Sequence, residues 1–245
     1  MPSNLHQTLL VLPAFNEEES VGVILREIAE VLPGMERLVV NDGSTDATRQ
    51  SAIAAGATVL DLPFNLGVGG AMRAGFKYAV ENGYRNVVQI DADGQHDPRN
   101  VQALVDGLES ADIVIGARFA GTGNYESRGP RRWAMTVLAS VISRISRVPL
   151  TDVTSGFKAN GPRAVALFAE HFPAEYLGDT LEALVIAARA KLRIAQVPVA
   201  MRVRQGGNPS HRPVKAAVYL ARACIALVFA LIRPHVSVPP QRDPK

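Results

Sequence analysis

The 245-residue sequence predicts an α/β fold, with a mostly parallel central sheet flanked by helices. Three observations carry this expectation. Short apolar runs alternate with stretches of helical periodicity from Thr8 onward, the rhythm of repeated βα units. Several of those runs end in polar, acidic turns, as strands do where they deliver side chains to the crevice beyond a parallel sheet. Hydrophobic residues make up 47% of the chain, ample for a core on both faces of such a sheet.

Taken in order, Thr8–Pro13 (TLLVLP) reads as a first buried strand running into Ala-Phe-Asn16-Glu17-Glu18-Glu19. Val21, Ile24, Leu25, Ile28 and Leu32 then follow helical spacing, which predicts a helix from about Glu18 to Val31 with acidic residues in its first turn. Arg37–Val40 is a second strand, ending in Asn41-Asp42-Gly43-Ser44. Thr45-Asp46 opens a helix to about Ala55. The rhythm repeats with a strand at Thr58–Leu60, a helix at Gly70–Asn82, a strand at Asn86–Asp91, a helix at Pro98–Ser110 capped by Asp97, and a strand at Asp112–Ala117. After that the character changes. Arg118–Pro130 is a glycine-rich polar loop, Arg132–Arg147 a helix and Val148–Lys158 a loop. Pro162–Phe168 and Thr180–Ala190 are helical. Arg193–Val203 alternates and contains Pro198, which suits an edge strand, and Gln205–Ser210 is a further loop.

The chemistry concentrates in Val87–Pro98, VVQIDADGQHDP. Its apolar run stops at Asp91-Ala-Asp93, placing two carboxylates at a strand end, where they repel unless a cation lies between them. Two hard oxygen ligands one residue apart suit Mg²⁺ or Mn²⁺ held jointly with substrate phosphates. His96, five residues into this turn, reads as an exposed turn histidine rather than a ligand. Asn65–Gly75, NLGVGGAMRAG, fails the dinucleotide fingerprint: Met72 stands where its third small residue is required, and no matching strand carries the acidic mate. A glycine-rich turn at a helix start can still offer N–H groups to phosphate, with Arg73 adding charge. The other reading of each glycine is a turn that needs positive φ.

Charge is unevenly distributed. Residues 1–117 hold seven lysines and arginines against sixteen acidic residues, whereas residues 118–245 hold nineteen against seven. A basic second half implies an anionic partner. Nucleic acid is not expected, because aromatics are only 6% of the chain and no RNA-binding motif occurs. The single cysteine, Cys224, rules out an internal disulfide. The first eight residues lack the charged and apolar regions of a signal peptide, so a cytoplasmic location is expected. Pro213–Ile232 forms a long apolar helix in which Lys215, Arg222 and Arg233 fall within about 20° of one another on a helical wheel. That single basic stripe favours lying in a membrane interface. Packing in the protein or a homo-oligomer and spanning a bilayer are the alternatives, and spanning would bury Arg222.

Four segments in this order carry a resemblance. Pro13-Ala-Phe15-Asn16-Glu17-Glu18, Asn41-Asp42-Gly43-Ser44, Asp91-Ala-Asp93-Gly-Gln95 and Thr154-Ser-Gly-Phe157-Lys158 are similar to the motifs of family 2 glycosyltransferases, more closely of the dolichyl-phosphate mannose synthase or polyprenyl-phosphate glycosyltransferase group. The resemblance implies a GT-A fold over residues 1–212 followed by the amphipathic segment 213–245. It also implies transfer of a mannose- or glucose-type hexose from a GDP- or UDP-sugar to a polyprenyl phosphate at the cytoplasmic membrane face. Pro13, Phe15 and Glu17 match the nucleotide pocket, with Phe15 where the family more often has Tyr. Asp42 matches the residue that hydrogen-bonds the base, and Asn41 replaces the first Asp of the commoner pair. Asp91 and Asp93 match the metal motif, with Gln95 beside them. Arg118 and Arg131 match arginines that hold the acceptor phosphate, and Arg204 matches a loop arginine over the donor diphosphate. Asp152 matches an acidic position facing the acceptor. It is also the one candidate for a general base if the acceptor is instead soluble or a polysaccharide.

Overall fold

Side-chain alternation in the strands divides the core into two layers. Leu9, Val11, Leu38, Val40, Val87, Ile113 and Ile115 face one way. Leu10, Leu12, Val39, Val88, Val114 and Ala159 face the other. The computed structural model describes residues 5–118, 130–174, 179–202 and 236–239. Seven strands form one sheet in these residues: β1 (Thr8–Ala14), β2 (Glu36–Asn41), β3 (Thr58–Asp61), β4 (Asn86–Gln89), β5 (Ile113–Ala117), β6 (Lys158–Asn160) and β7 (Ile194–Pro198). Their order is β3-β2-β1-β4-β6-β5-β7. Helices α1 (Val21–Val31), α2 (Thr48–Ala54) and α4 (Val101–Gly107) contribute to the second layer. Helices α3 (Gly67–Glu81), α5 (Pro130–Ser146), α6 (Pro162–His171) and α7 (Asp179–Arg189) contribute to the first.

The expected parallel sheet is therefore present but mixed. β6 runs antiparallel to both β4 and β5, its neighbours on either side. At three residues it is too short to show strand periodicity, and it lies in what reads as the Val148–Lys158 loop and its exit. β7 is the edge strand, and Pro198 closes it. Pro13 is in β1, near the middle of the sheet. The pairing of β1 with β4 stops at Val11, so this residue without an N–H falls where β1 has one neighbour instead of two.

Helix starts differ from the periodic reading. α1 begins at Val21 and has no acidic residue in its first turn. The glutamates before it are used elsewhere: the Ala47 N–H donates to Glu18 Oε2 at 2.8 Å, and Ser20 Oγ donates to Glu17 Oε2 at 2.6 Å. α3 begins at Gly67, so the glycine-rich stretch lies inside its first turns. Gly75 allows close packing there, because a Cβ would lie 2.6 Å from Val11 Cγ1. Pro98–Asn100 is a short 3₁₀ turn ahead of α4, with Asp97 accepting from the Arg99 N–H at 3.0 Å as the expected cap. The segment 213–232 lies outside the described residues. Val236 and Val238, farther on, pack against the first layer, so residues 213–245 are not wholly separate from the body.

Candidate active site

The chain steps outward from β1 to β2 and β3, then returns to β4 on the other side of β1. The crevice at such a reversal, beyond the carboxyl ends of the strands, is where an open α/β sheet binds ligands. Three motif segments converge on it: Pro13–Glu17 at and beyond the end of β1, Asn41–Ser44 at the end of β2, and Ile90–Gln95 after β4.

The first two loops brace one another. Asn16 adopts φ +55°, a left-handed conformation that asparagine tolerates. Its N–H donates to Ser44 Oγ at 3.0 Å, and its Oδ1 accepts from the Thr45 N–H at 2.9 Å. The Glu17 N–H donates to Thr48 Oγ1 at 2.8 Å, and the Glu18 N–H to Asp46 Oδ2 at 3.2 Å. Asn41 is buried and its amide donates to Asp61 Oδ1 at 2.8 Å, so it ties β2 to β3. Asp42 is buried too, and Oδ1 accepts from the Leu66 N–H at 2.7 Å. Burial pushes its carboxyl above the usual range, against the lowering effect of the Leu66 and Gly67 N–H groups. Asp42 thus pins the loop that precedes α3. Gly43, at φ +71°, lets that loop pass: a Cβ would lie 2.7 Å from the Asn65 nitrogen. Around this point Phe15 is 46% exposed, Phe64 62% and Val68 51%, an apolar rim beside the buried carboxyl.

Asp91 and Asp93 follow β4 directly. Gly94 takes φ +76° to turn the chain between Asp93 and Gln95, and the Gln95 N–H donates to Asp93 Oδ1 at 3.0 Å. The Asp91 side chain is 38% exposed, whereas Asp93 is buried. Gly156 runs against Asp91: a Cβ there would lie 3.1 and 3.2 Å from its two carboxylate oxygens. No cluster of three or more His, Cys, Asp or Glu suited to a metal occurs among the described residues. Two carboxylates one residue apart, the Asp91 side chain partly exposed, suit a hard divalent cation whose remaining ligands would come from substrate phosphates and water, as Mg²⁺ typically binds.

His96 is not an exposed turn histidine. It is 2% exposed, its Nδ1 accepts from the Asp91 N–H at 3.0 Å, and its ring stacks on Phe157 with centroids 4.8 Å apart. Its main chain bridges Met201, while the Gln95 carbonyl accepts from the Arg202 N–H. Arg202 in turn joins Glu27 Oε1 at 2.7 Å and Asp97 Oδ1 at 2.7 Å. The Thr154–Lys158 motif singles out Gly156 and Phe157, but nothing in the sequence places them against Asp91 and His96 or gives His96 this role.

Three candidate side chains, Asp152, Arg118 and Arg73, have partners within the chain. Asp152, read as facing the acceptor, has a fully buried carboxylate bound by Arg118 through Nε at 2.6 Å and Nη2 at 2.9 Å. Burial alone would raise its pKa, but Arg118's hydrogen bonds and charge outweigh that and hold it below the usual carboxylate range. Arg118 Nη2 also donates to Thr154 Oγ1 at 2.7 Å, so its guanidinium is committed to this buried cluster. Arg73, read as facing phosphate, donates from Nη2 to the Glu170 carbonyl at 2.6 Å, which ties α3 to α6. Arg131 falls in the first turn of α5, with its side chain outside the described set, and Arg204 lies outside the described residues.

Residues 9–165 match the family described as Glycosyl transferase family 2. The chain is 32% identical over 211 residues to the undecaprenyl-phosphate mannosyltransferase of Micrococcus luteus, covering 82% of this chain and 86% of that protein. It is 32% identical over 161 residues to the polyprenol monophosphomannose synthase of Mycolicibacterium smegmatis, covering 62% and 61%. A crystal structure of glucosyl-3-phosphoglycerate synthase from Mycobacterium tuberculosis, in complex with Mn²⁺, UDP and phosphoglyceric acid, aligns with a TM-score of 0.68 at 25% identity over 93% of this chain and 79% of that one. The chain belongs to glycosyltransferase family 2.

Proposed function

We propose that this glycosyltransferase moves a mannose- or glucose-type hexose from a GDP- or UDP-sugar to a polyprenyl phosphate, with inversion at the sugar carbon and with Mg²⁺ or Mn²⁺ held by Asp91 and Asp93. The observation that carries the reading is the carboxylate pair at the sheet's reversal point, in a chain 32% identical to a protein named for undecaprenyl-phosphate mannosyl transfer. Bound there, the cation supplies positive charge that stabilises the departing diphosphate. Phe15 offers an exposed apolar face to the base, and Asp42 holds the Leu66 loop beside it. Arg204 reaches the donor diphosphate and Arg131 the acceptor phosphate, in keeping with the basic second half of the chain.

A phosphate acceptor is already ionised at neutral pH and needs no general base. Asp152, the base that a hydroxyl acceptor would require, is buried against Arg118, which favours the phosphate acceptor. The phosphoglyceric acid bound by the solved relative keeps a soluble phosphorylated acceptor as the second reading. Radiolabelled GDP- and UDP-hexoses, incubated with undecaprenyl phosphate or phosphoglyceric acid and Mn²⁺, separate the two. Label should enter the organic phase only with the lipid acceptor, and EDTA should abolish it. Aqueous product with phosphoglyceric acid and none with lipid overturns the proposal.

A further inference from the structure

His96 has its own account to give of the carboxylate pair. Its Nδ1 accepts a hydrogen bond from the Asp91 N–H, so that nitrogen carries no proton and the neutral ring holds its proton on Nε2. Nε2 faces Asp91 Oδ2 at 3.6 Å. This exceeds hydrogen-bond length, so the contact in this structure is an electrostatic one between the ring N–H and the carboxylate. The ring itself has little freedom, being buried, stacked within 13° of parallel on Phe157 and carried on a main chain bridged to Met201. Phe157 belongs to the same turn that sets Gly156 against Asp91. Two carboxylates one residue apart repel, and with no cation between them they gain by rotating away from each other. A rigid donor beside one of them opposes that rotation.

We propose that His96 is a positioning residue for Asp91, anchoring the strand end through Nδ1 and aiming the carboxylate through Nε2–H before the cation arrives. The proposal rests on the reading of Asp91 as a metal ligand. Partners that orient a metal-binding group commonly change metal affinity 10- to 100-fold when removed. The amide oxygen of His96→Asn stands near the place of Nδ1 and keeps the acceptor for the Asp91 N–H, with nothing in place of Nε2. His96→Gln returns an amide group near the Nε2 position.

The test is Mn²⁺ binding to the full-length chain by electron paramagnetic resonance, with UDP and then GDP present, alongside unfolding temperatures. Folded His96→Asn should bind Mn²⁺ about 10- to 100-fold more weakly than wild type, and His96→Gln should recover part of that loss. Wild-type Mn²⁺ affinity in folded His96→Asn overturns the role of His96 while leaving the metal reading intact. A wild-type chain that binds no Mn²⁺ with either nucleotide overturns the metal reading and this proposal with it. Nitrogen-15 resonances of the wild-type imidazoles give a check that does not depend on a variant folding. The His96 ring must carry its proton on Nε2, and a protonated Nδ1 overturns the proposal.

Discussion

Removing one member of the Arg118–Asp152 pair leaves the other's charge buried and uncompensated. Arg118→Ala should therefore cost about 3–5 kcal/mol of stability, read from urea unfolding at neutral pH. The pH dependence has a definite sign. Asp152's folded pKa lies below its unfolded value of about 3.9. Its stabilisation is thus present above roughly pH 4 and lost as pH falls through the native value, and Arg118→Ala should lack that part of the acid slope. Asp42 behaves in the opposite sense. Burial raises its pKa, so the charged carboxyl works against folding at neutral pH. Asp42→Asn should keep or raise its unfolding midpoint at pH 7 and, on the base-binding role that the resemblance implies for Asp42, should bind GDP or UDP about tenfold more weakly by calorimetry, the loss expected for one charge-assisted hydrogen bond. These two aspartates were both legible as site candidates from their motifs. Their separate duties were not, because nothing local in the sequence states that Arg118 reaches a residue 34 positions away.

At the level of elements, periodicity located most strands and helices, since their apolar positions recur along the local chain. Short pieces with little periodicity escaped it. β6, which overlaps the Val148–Lys158 loop only at Lys158, carries the consequence for the site, because its entry turn holds Gly156 and Phe157 against Asp91 and His96. Gly156→Ala should push on the Asp91 carboxylate from within about 3.2 Å. Turnover should fall about ten- to a hundredfold, as small misplacements of reacting groups do, while the unfolding midpoint changes little. Steady-state rates set beside thermal melts check this, and an equal loss in both would place Gly156 in packing alone. The exposed reading of His96 failed for a related reason. A histidine between glutamine and aspartate looks solvated, whereas in the fold its main chain bridges Met201 and its buried ring stacks on Phe157.

Across the whole molecule, the first 117 residues are acidic and the rest basic, a division that the proposed function would assign to nucleotide loops and an anionic acceptor. Among the described residues no helix is long and apolar enough to cross a membrane. The basic stripe of Lys215, Arg222 and Arg233 leads us to expect binding to anionic vesicles. Each basic residue near such a surface contributes about 1 kcal/mol, so replacing all three with Glu should weaken co-sedimentation at least about a hundredfold. Unchanged co-sedimentation would remove the membrane-surface reading. The antiparallel β6 has one more consequence, and it concerns time. Asp42, Asp91 and Asp93 all leave the ribosome within the first 117 residues, while Gly156, Phe157 and Met201, which surround Asp91 and His96, are made afterwards. Gln89 pairs with Lys158 only once the intervening chain has been synthesised. Pairings of such sequence separation are intrinsically slow to form, because a long loop must close first. A nascent chain thus holds the acidic groups and His96 before it holds Gly156, Phe157 and Met201, so the surroundings of Asp91 and His96 are complete only when the second half folds back into the sheet.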